Sequence, residues 1–443
     1  MTKLKFLYLA VLLPTLALAQ DSLTIRDAMR EASEHHPQVQ AATARAKAAR
    51  AQSRQAIGYR LPSVDVSESF IRTTNPAESF AFQMNQERFS MTEFGNPAND
   101  PNNPDPLNTY MTRAEATLPI FTGGMLHGRT LQARRMARAA GLEEDHTRES
   151  VAMDAATAWL NLSKAREYQS LMTKSLATAE THMQRARDYF DQGMLAPSDI
   201  LRAEVFVAEI KEYKTRADEQ AQLAQAALNF QRGRSQDEEV VLSELVFEEP
   251  MSIEKVEAQS AALENRPDLQ AAHEKLNAGK AEVTVARSSF LPQIGIVGRY
   301  DWYDDELLGD NGKSWAIMGQ AKINLFHGGA DVHAVQKASL EARAGEQDVH
   351  RFEEGVKLQV RQAVSDMESA KLRHEAANAA LASGQENLRV VEARYAQGVA
   401  QMTDLLDAQT ALRELEVREL TARYDRMLAG YRIKFVTGQS LLN

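Results

Sequence analysis

The sequence predicts a mainly α-helical chain that also carries four β-strands of membrane-spanning length, the whole written as two copies of one unit. Three observations predict it. First, segments recur at fixed separations along the 443 residues. Pro37-Gln-Val-Gln-Ala-Ala42 answers Pro267-Asp-Leu-Gln-Ala-Ala272 and Leu61-Pro62 answers Leu291-Pro292, both 230 positions apart. Phe121-Thr-Gly-Gly124 answers Phe326-His-Gly-Gly329, Gly193 answers Gly398, Asp199-Ile-Leu201 answers Asp404-Leu-Leu406, and Phe230 with Gly233 answers Phe435 with Gly438, all 205 apart. Such a period marks an internal structural repeat. Second, none of the 13 prolines falls between Pro119 and Pro197 or after Pro292, which leaves about half of the chain free to form uninterrupted helix. Third, strict period-two alternation runs for roughly ten residues, four times in the chain.

The elements follow in order. Met1 to Ala19 has the pattern of an export signal, with Lys3 and Lys5 before the apolar run Phe6 to Leu13 and a small-residue cleavage site at Ala17-Leu-Ala19. Its apolar run, broken by Pro14, is shorter than the ~20 residues that a spanning helix needs. No later apolar stretch reaches that length, so any membrane insertion falls to strands. Repeat 1 covers 20–235. Its alanine-rich helix, Ala41 to Gln55, ends at Leu61-Pro62. A strand pair within 61–121 follows: Val64 and Val66 lead toward Phe70, and Tyr110, Thr112, Ala114, Ala116, Leu118 and Ile120 share one parity. The change of register from 230 to 205 places 25 extra residues between the strands, at the polar stretch Asn96 to Pro106, which reads as a surface loop. A long helical hairpin over 124–232 completes the copy; its first helix alone would be on the order of 100 Å long.

Repeat 2, with an equatorial segment before it, covers 236–443. Val240 to Phe247 breaks the helical pattern, as a belt or an isolated interdomain linker would. The helix Ala271 to Arg287 then leads to a strand pair within 291–326, with Ile294, Ile296, Gly298, Tyr300 and Trp302 on one parity and Trp315, Ile317, Gly319, Ala321, Ile323 and Leu325 on another. The second hairpin covers 330–435. Val417, Leu420, Tyr424, Leu428 and Tyr431 form a helical stripe that packing explains.

Four strands cannot close a membrane barrel, whose smallest form needs about eight, so if these strands span a membrane, two or three chains must share one barrel. Trp302 and Trp315, with Tyr300 and Tyr303 nearby, suit an aromatic girdle, and a soluble sandwich would use such residues too. Several functions are excluded. Without cysteine there is no disulfide framework, thiolate metal site or thioether lipid anchor. Removing Lys3 and Lys5 with the signal leaves 49 basic against 61 acidic residues, a net of −12, which disfavours nucleic acid. His35, His36, His127, His146, His327, His333 and His350 lack metal-ligand spacing, Met84, Met91, Met111 and Met125 read as core or loop residues, and no catalytic set is found. No enzyme activity, metal or cofactor is expected.

The hairpin tips carry the functional signal. Gly193 and Gly398 permit a positive φ where one helix stops, and Ser198 and Thr403, with Asp199 and Asp404 following, stand where the next begins and can cap its free amides. Asp404 and Asp407 lie three apart and share a helix face; the first copy has Asp199 and Arg202 there.

Phe190-x-x-Gly193-x-x-x-x-Ser198-Asp199-x-Leu201 and Tyr395-x-x-Gly398-x-x-x-x-Thr403-Asp404-x-Leu406, with the Leu-Pro and Phe-x-Gly-Gly pairs, resemble the TolC family of outer-membrane efflux proteins over nearly the whole mature chain. The resemblance implies a homotrimer with a 12-stranded barrel in outer-membrane lipid, continued by a helical barrel across the periplasm. It implies docking of a periplasmic adaptor at Gly193, Ser198, Leu201, Gly398, Thr403 and Leu406, with an inner-membrane transporter behind it. It makes Asp404 and Asp407 two acidic rings at a cation-favouring entrance, and Tyr395 with Asp199 part of its closure. The arginine of that closure falls on Ala400 here, with Arg394 as a substitute. The expected function is the exit duct of a tripartite efflux pump; a type I protein-secretion duct and a periplasmic coiled-coil adaptor are the alternatives.

Overall fold

The structure, a computed structural model, describes residues 22–96, 98–244 and 254–442. Met1 to Ala19, read as an export signal, and the 245–250 part of the equatorial segment lie outside the described residues. The chain forms two compact units, and each draws on both sequence copies. One holds Met1–Gln40, Arg148–Ala258 and Gln359–Asn443; the other holds Ala41–Thr147 and Gln259–Leu358.

The second of these units carries the strands: β1 (Ser63–Thr73), β2 (Leu107–Thr122), β3 (Gln293–Asp304) and β4 (Gly312–Lys322). They form one antiparallel sheet in the order β1-β2-β3-β4. The register places Val64 opposite Ala116, Ala116 opposite Gly298 and Gly298 opposite Ile317, so the residues of the predicted parity share a face. That face is apolar over most of its length, and Val64, Val66, Trp315 and Ile317 on it keep 71–73% of their surface open. Phe70, Tyr110, Tyr300 and Trp302 share it near the end where β1 runs out, with Phe70 against Tyr110 at 4.8 Å and Tyr300 against Trp302 at 4.5 Å between ring centres. Tyr303, grouped with these aromatics in the sequence, has the other parity. It is buried on the polar face with its hydroxyl 3.4 Å from Asp301. On that face Arg113 also donates to both oxygens of Asp301, at 2.6 and 3.3 Å. The β2–β3 register shifts between Pro119 and Phe121, where proline has no N–H for the ladder.

Two short helices stand in the loop between β1 and β2. These are α3 (Pro76–Asn85) and α4 (Met91–Phe94), after α1 (Ile25–His35) and α2 (Pro37–Gly58) near the start of the chain. Later come α7 (Lys255–Asn265) and α8 (Pro267–Arg287), the partners of α1 and α2 in the second copy, with α5 (Met125–Asp191) and α6 (Pro197–Arg232) before them and α9 (Ala330–Ala396) and α10 (Met402–Val436) after. Pro37, Pro197 and Pro267 each open a helix, where the missing N–H has no intrahelical partner to lose. α5 and α9 are both 67 residues long. The repeat is visible in the backbone itself. Gly123, Gly124, Gly193 and Gly233 all have positive φ, and so do Gly328, Gly329, Gly398 and Gly438, 205 positions on.

The unit that carries the tips has its core where α1, α5, α6 and α10 meet. Trp159, Leu162, Leu228, Leu420, Tyr424 and Met427 are buried there around Leu23 and Val240. The Trp159 indole donates to the Leu23 carbonyl at 3.0 Å, while Leu23 pairs with Leu242 in an isolated parallel bridge. Arg166 donates to the Val240 carbonyl at 2.6 Å, so the chain around Val240 is held against α5. Tyr424 donates to Glu167 at 2.7 Å; burial and that carboxylate push its hydroxyl well above the usual tyrosine range.

Candidate functional site

α5 and α9 end in the same way. The Gly193 N–H donates to the Phe190 carbonyl at 2.8 Å and the Met194 N–H to Tyr189 at 2.9 Å; Gly398 and Val399 repeat this toward Tyr395 and Arg394 at 3.0 and 2.9 Å. This pair of reversed bonds is the Schellman motif, which needs a left-handed residue at its turn. Gly193 has φ 73° and Gly398 φ 72°. A Cβ would meet nothing within 4 Å at either position, so glycine is required for its dihedral alone. Gly398→Ala is therefore expected to cost about 1 kcal/mol, and Gly398→Asn, which tolerates the left-handed region, less. Thermal melting of the purified protein checks the order.

The helix starts differ from expectation. Ser198 and Thr403 are not the caps. Pro197 takes the first helical position of α6 and leaves Ala196 at the cap, without a side-chain bond. In α10 the cap is Gln401: its side chain accepts from the Asp404 N–H, and the Asp404 carboxylate accepts from the Gln401 N–H at 3.0 Å, a reciprocal capping box. Thr403 instead donates to the Gln401 side-chain oxygen at 3.4 Å. One of the two acidic residues in question thus has a structural task, while Asp407, one turn along, faces solvent on the same side.

The two tips share one core. Ala186 of α5, Ala203 of α6, and Met402 and Leu405 of α10 are buried together, with Met183, Leu195, Ile200, Leu388, Val391, Tyr395 and Leu406 packed around them. Leu406 therefore belongs to the inside. Leu201, its counterpart in the first copy, points outward, and Met194, Leu201, Val205 and Val399 keep 60–64% of their surface open. These open apolar side chains stand toward the end of the two helical hairpins.

Tyr395 stands beside Tyr189, with ring centres 6.4 Å apart. Its hydroxyl is buried and has no hydrogen-bond partner among the described residues. Burial, then the neighbouring Tyr189 and the charge of Asp199, push its pKa up. The structure thus brings Tyr395 and Asp199 into one neighbourhood, while an unsatisfied buried hydroxyl leaves the contact unfinished. Nothing in the sequence singled out His182. It is buried on α5 with Nε2 3.7 Å from Glu392 of α9, and so links the two hairpins. Burial lowers its pKa and outweighs the opposing pull of Glu392. A histidine neutral in the folded state and protonated near its ordinary value of 6.5 when unfolded makes the tips less stable as pH falls through that value. His182→Gln is expected to flatten this dependence in melting curves recorded on either side of it. Among the described residues no group of three His, Asp or Glu side chains is placed to hold a metal ion, and no helix is long and apolar enough to cross a membrane.

A four-stranded sheet with one apolar face, together with paired helical hairpins whose tips share a core, defines the class of outer-membrane channel proteins. The model of the family described as outer membrane efflux protein matches residues 28–234 and 258–439, and the chain belongs to that family. Outer membrane protein OprJ of Pseudomonas aeruginosa is 29% identical over 178 residues, 38% of this chain and 36% of OprJ. Outer membrane protein TolC of Vibrio cholerae is 21% identical over 69% of this chain and 72% of its own length. Among solved structures, the CmeC outer membrane channel of Campylobacter jejuni superposes with a TM-score of 0.80 at 18% identity, over 94% of this chain and 85% of that one. That likeness concerns the fold.

Proposed function

We propose that the chain is the exit duct of a tripartite efflux pump, which passively conducts small molecules outward. Three copies share one barrel of 12 strands, four from each, because the sheet has two unpaired edges and lipid tolerates none. Its apolar face meets outer-membrane lipid, with Phe70, Tyr110, Tyr300, Trp302 and Trp315 at headgroup level. A periplasmic adaptor docks on the exposed tip residues and receives cargo from an inner-membrane transporter, which supplies the energy. The observation that carries this reading is the fused tip: one buried core, a rim of open apolar side chains, and Asp404 and Asp407 on a solvent face.

On a threefold axis these two aspartates become stacked acidic rings, and six carboxylates around a narrow path favour cations. Asp404→Ala combined with Asp407→Ala is expected to abolish cation preference and to raise conductance in planar bilayers. Unchanged selectivity would remove the entrance from these residues. Heat-modifiable migration and recovery in the outer-membrane fraction support the duct; a soluble monomer overturns it.

A further inference from the structure

The loop between β1 and β2, where the first copy carries its extra residues, is anchored across the polar face of the sheet. A Cβ on Gly312, the first residue of β4, would land on the carbonyl oxygen of Asn85 at the end of α3. Gly312 pairs with Tyr303, so that Cβ points to the polar face, and the loop lies on this side. Gln86 is buried next to it; its Nε2 donates to the Asn108 carbonyl at 3.0 Å and to the Thr109 hydroxyl at 2.9 Å. Arg88 pairs with Asp305 of the β3–β4 turn at 2.7 Å. Thr109, beneath Gln86, is 0% exposed, whereas Trp315 on the apolar face is 71% exposed.

The loop carries its own small cluster. The rings of Phe80, Phe89 and Phe94 stand 5.2 to 5.6 Å apart in all three pairs. Phe80, Phe94, Met84 and Met91 remain exposed around it. The second copy has nothing equivalent, because β3 and β4 are joined by 305–311 alone.

Given the barrel reading above, on which this inference rests, the polar face lines the lumen and the loop stands at its outer mouth. Twelve strands spaced ~4.8 Å apart and tilted by ~40° enclose a bore of about 24 Å between opposite Cα atoms. Three helices of ~10 Å diameter grouped on the axis need a circle of about 22 Å. We propose that the three copies of α3 meet there through their Phe80, Phe89 and Phe94 clusters and form a second constriction that bars bulky solutes from entering from outside. It is independent of the periplasmic tips, and Gly312 is the residue that lets the loop settle.

The absence of cysteine from the chain makes the test direct. Ser67, on the polar face of β1 opposite Arg113, lies below the loop, and Asn103 lies in the loop outside the proposed constriction. Ser67→Cys and Asn103→Cys are made singly and labelled on intact cells with a polyethylene-glycol maleimide of several kilodaltons. Asn103→Cys is expected to label fast and Ser67→Cys slowly. Adding Gly312→Leu, or replacing 76–94 by a short Gly-Ser linker, is expected to speed labelling at position 67 about tenfold, as removal of a barrier would. Equal rates at position 67 with and without the loop overturn the constriction while leaving the duct intact. Failure of Asn103→Cys to label overturns the barrel reading and the constriction with it.

Discussion

Leu405→Ala is expected to destabilise the joined tips by about 2–5 kcal/mol, the range for emptying a fully enclosed leucine site. Leu405 is completely buried, and its neighbours Ala186 and Ala203 come from the other hairpin. Alanines cannot swing into the space, so the cavity persists and the link between the hairpins weakens. Amide hydrogen exchange is the measurement, because it reads local opening rather than global melting. Protection over 183–205 and 388–408 is expected to fall while that around Trp159 stays. Leu405→Met conserves volume and is expected to cost less than about 1.5 kcal/mol. If the hairpins are held shut through this core, the alanine variant also conducts more than the unaltered protein in planar bilayers. Unchanged exchange at both tips would show that the shared core does not hold them.

Trp159→Ala carries the second large effect, about 3–5 kcal/mol from the lost side chain. The ring fills the centre of the core that joins α5, α6 and α10, and its indole N–H is the partner of the Leu23 carbonyl. Its removal leaves the Ser243 N–H, at 3.1 Å, as the remaining donor to the Leu23 carbonyl and loosens the pairing of Leu23 with Leu242. Trp159→Phe keeps most of the volume and loses the bond, so its cost is expected to be smaller. Limited proteolysis checks this. New cleavage is expected near Leu23 and within 233–244 for the alanine variant, and little for phenylalanine; resistance of both variants would detach Trp159 from those segments.

Much of this was legible because long elements leave periodic traces. The strands announced themselves through alternation, and the register fixed by Val64, Ala116, Gly298 and Ile317 shows why: each alternate residue looks to the same apolar face. The two 67-residue helices followed from the proline gaps, and Gly193 and Gly398 marked their ends because a Schellman turn leaves few other choices. Short-range chemistry was less legible. Ser198 and Thr403 are cap-forming residue types close to helix starts, yet Pro197 set one start ahead of Ser198 and Gln401 took the other cap with Asp404. Leu201 and Leu406 occupy matching positions in the repeat but opposite environments, because the copies pack against each other asymmetrically. His182 and Glu392 are 210 positions apart, and no local pattern joins them. The folded part of the β1–β2 loop escaped for a related reason: Gln86 is held by partners on β2, which only the assembled sheet supplies.

The sheet order leaves β1 and β4 each with one unpaired edge among the described residues, and this has a genetic consequence. If three copies must complete one another's edges, a chain with a damaged edge strand spoils the two sound chains it joins. In a cell that makes sound and damaged chains in equal amounts, only about one assembly in eight would be free of the defect, by simple threefold combination. Edge-strand lesions would then behave as dominant, whereas a variant that never folds far enough to pair would be recessive.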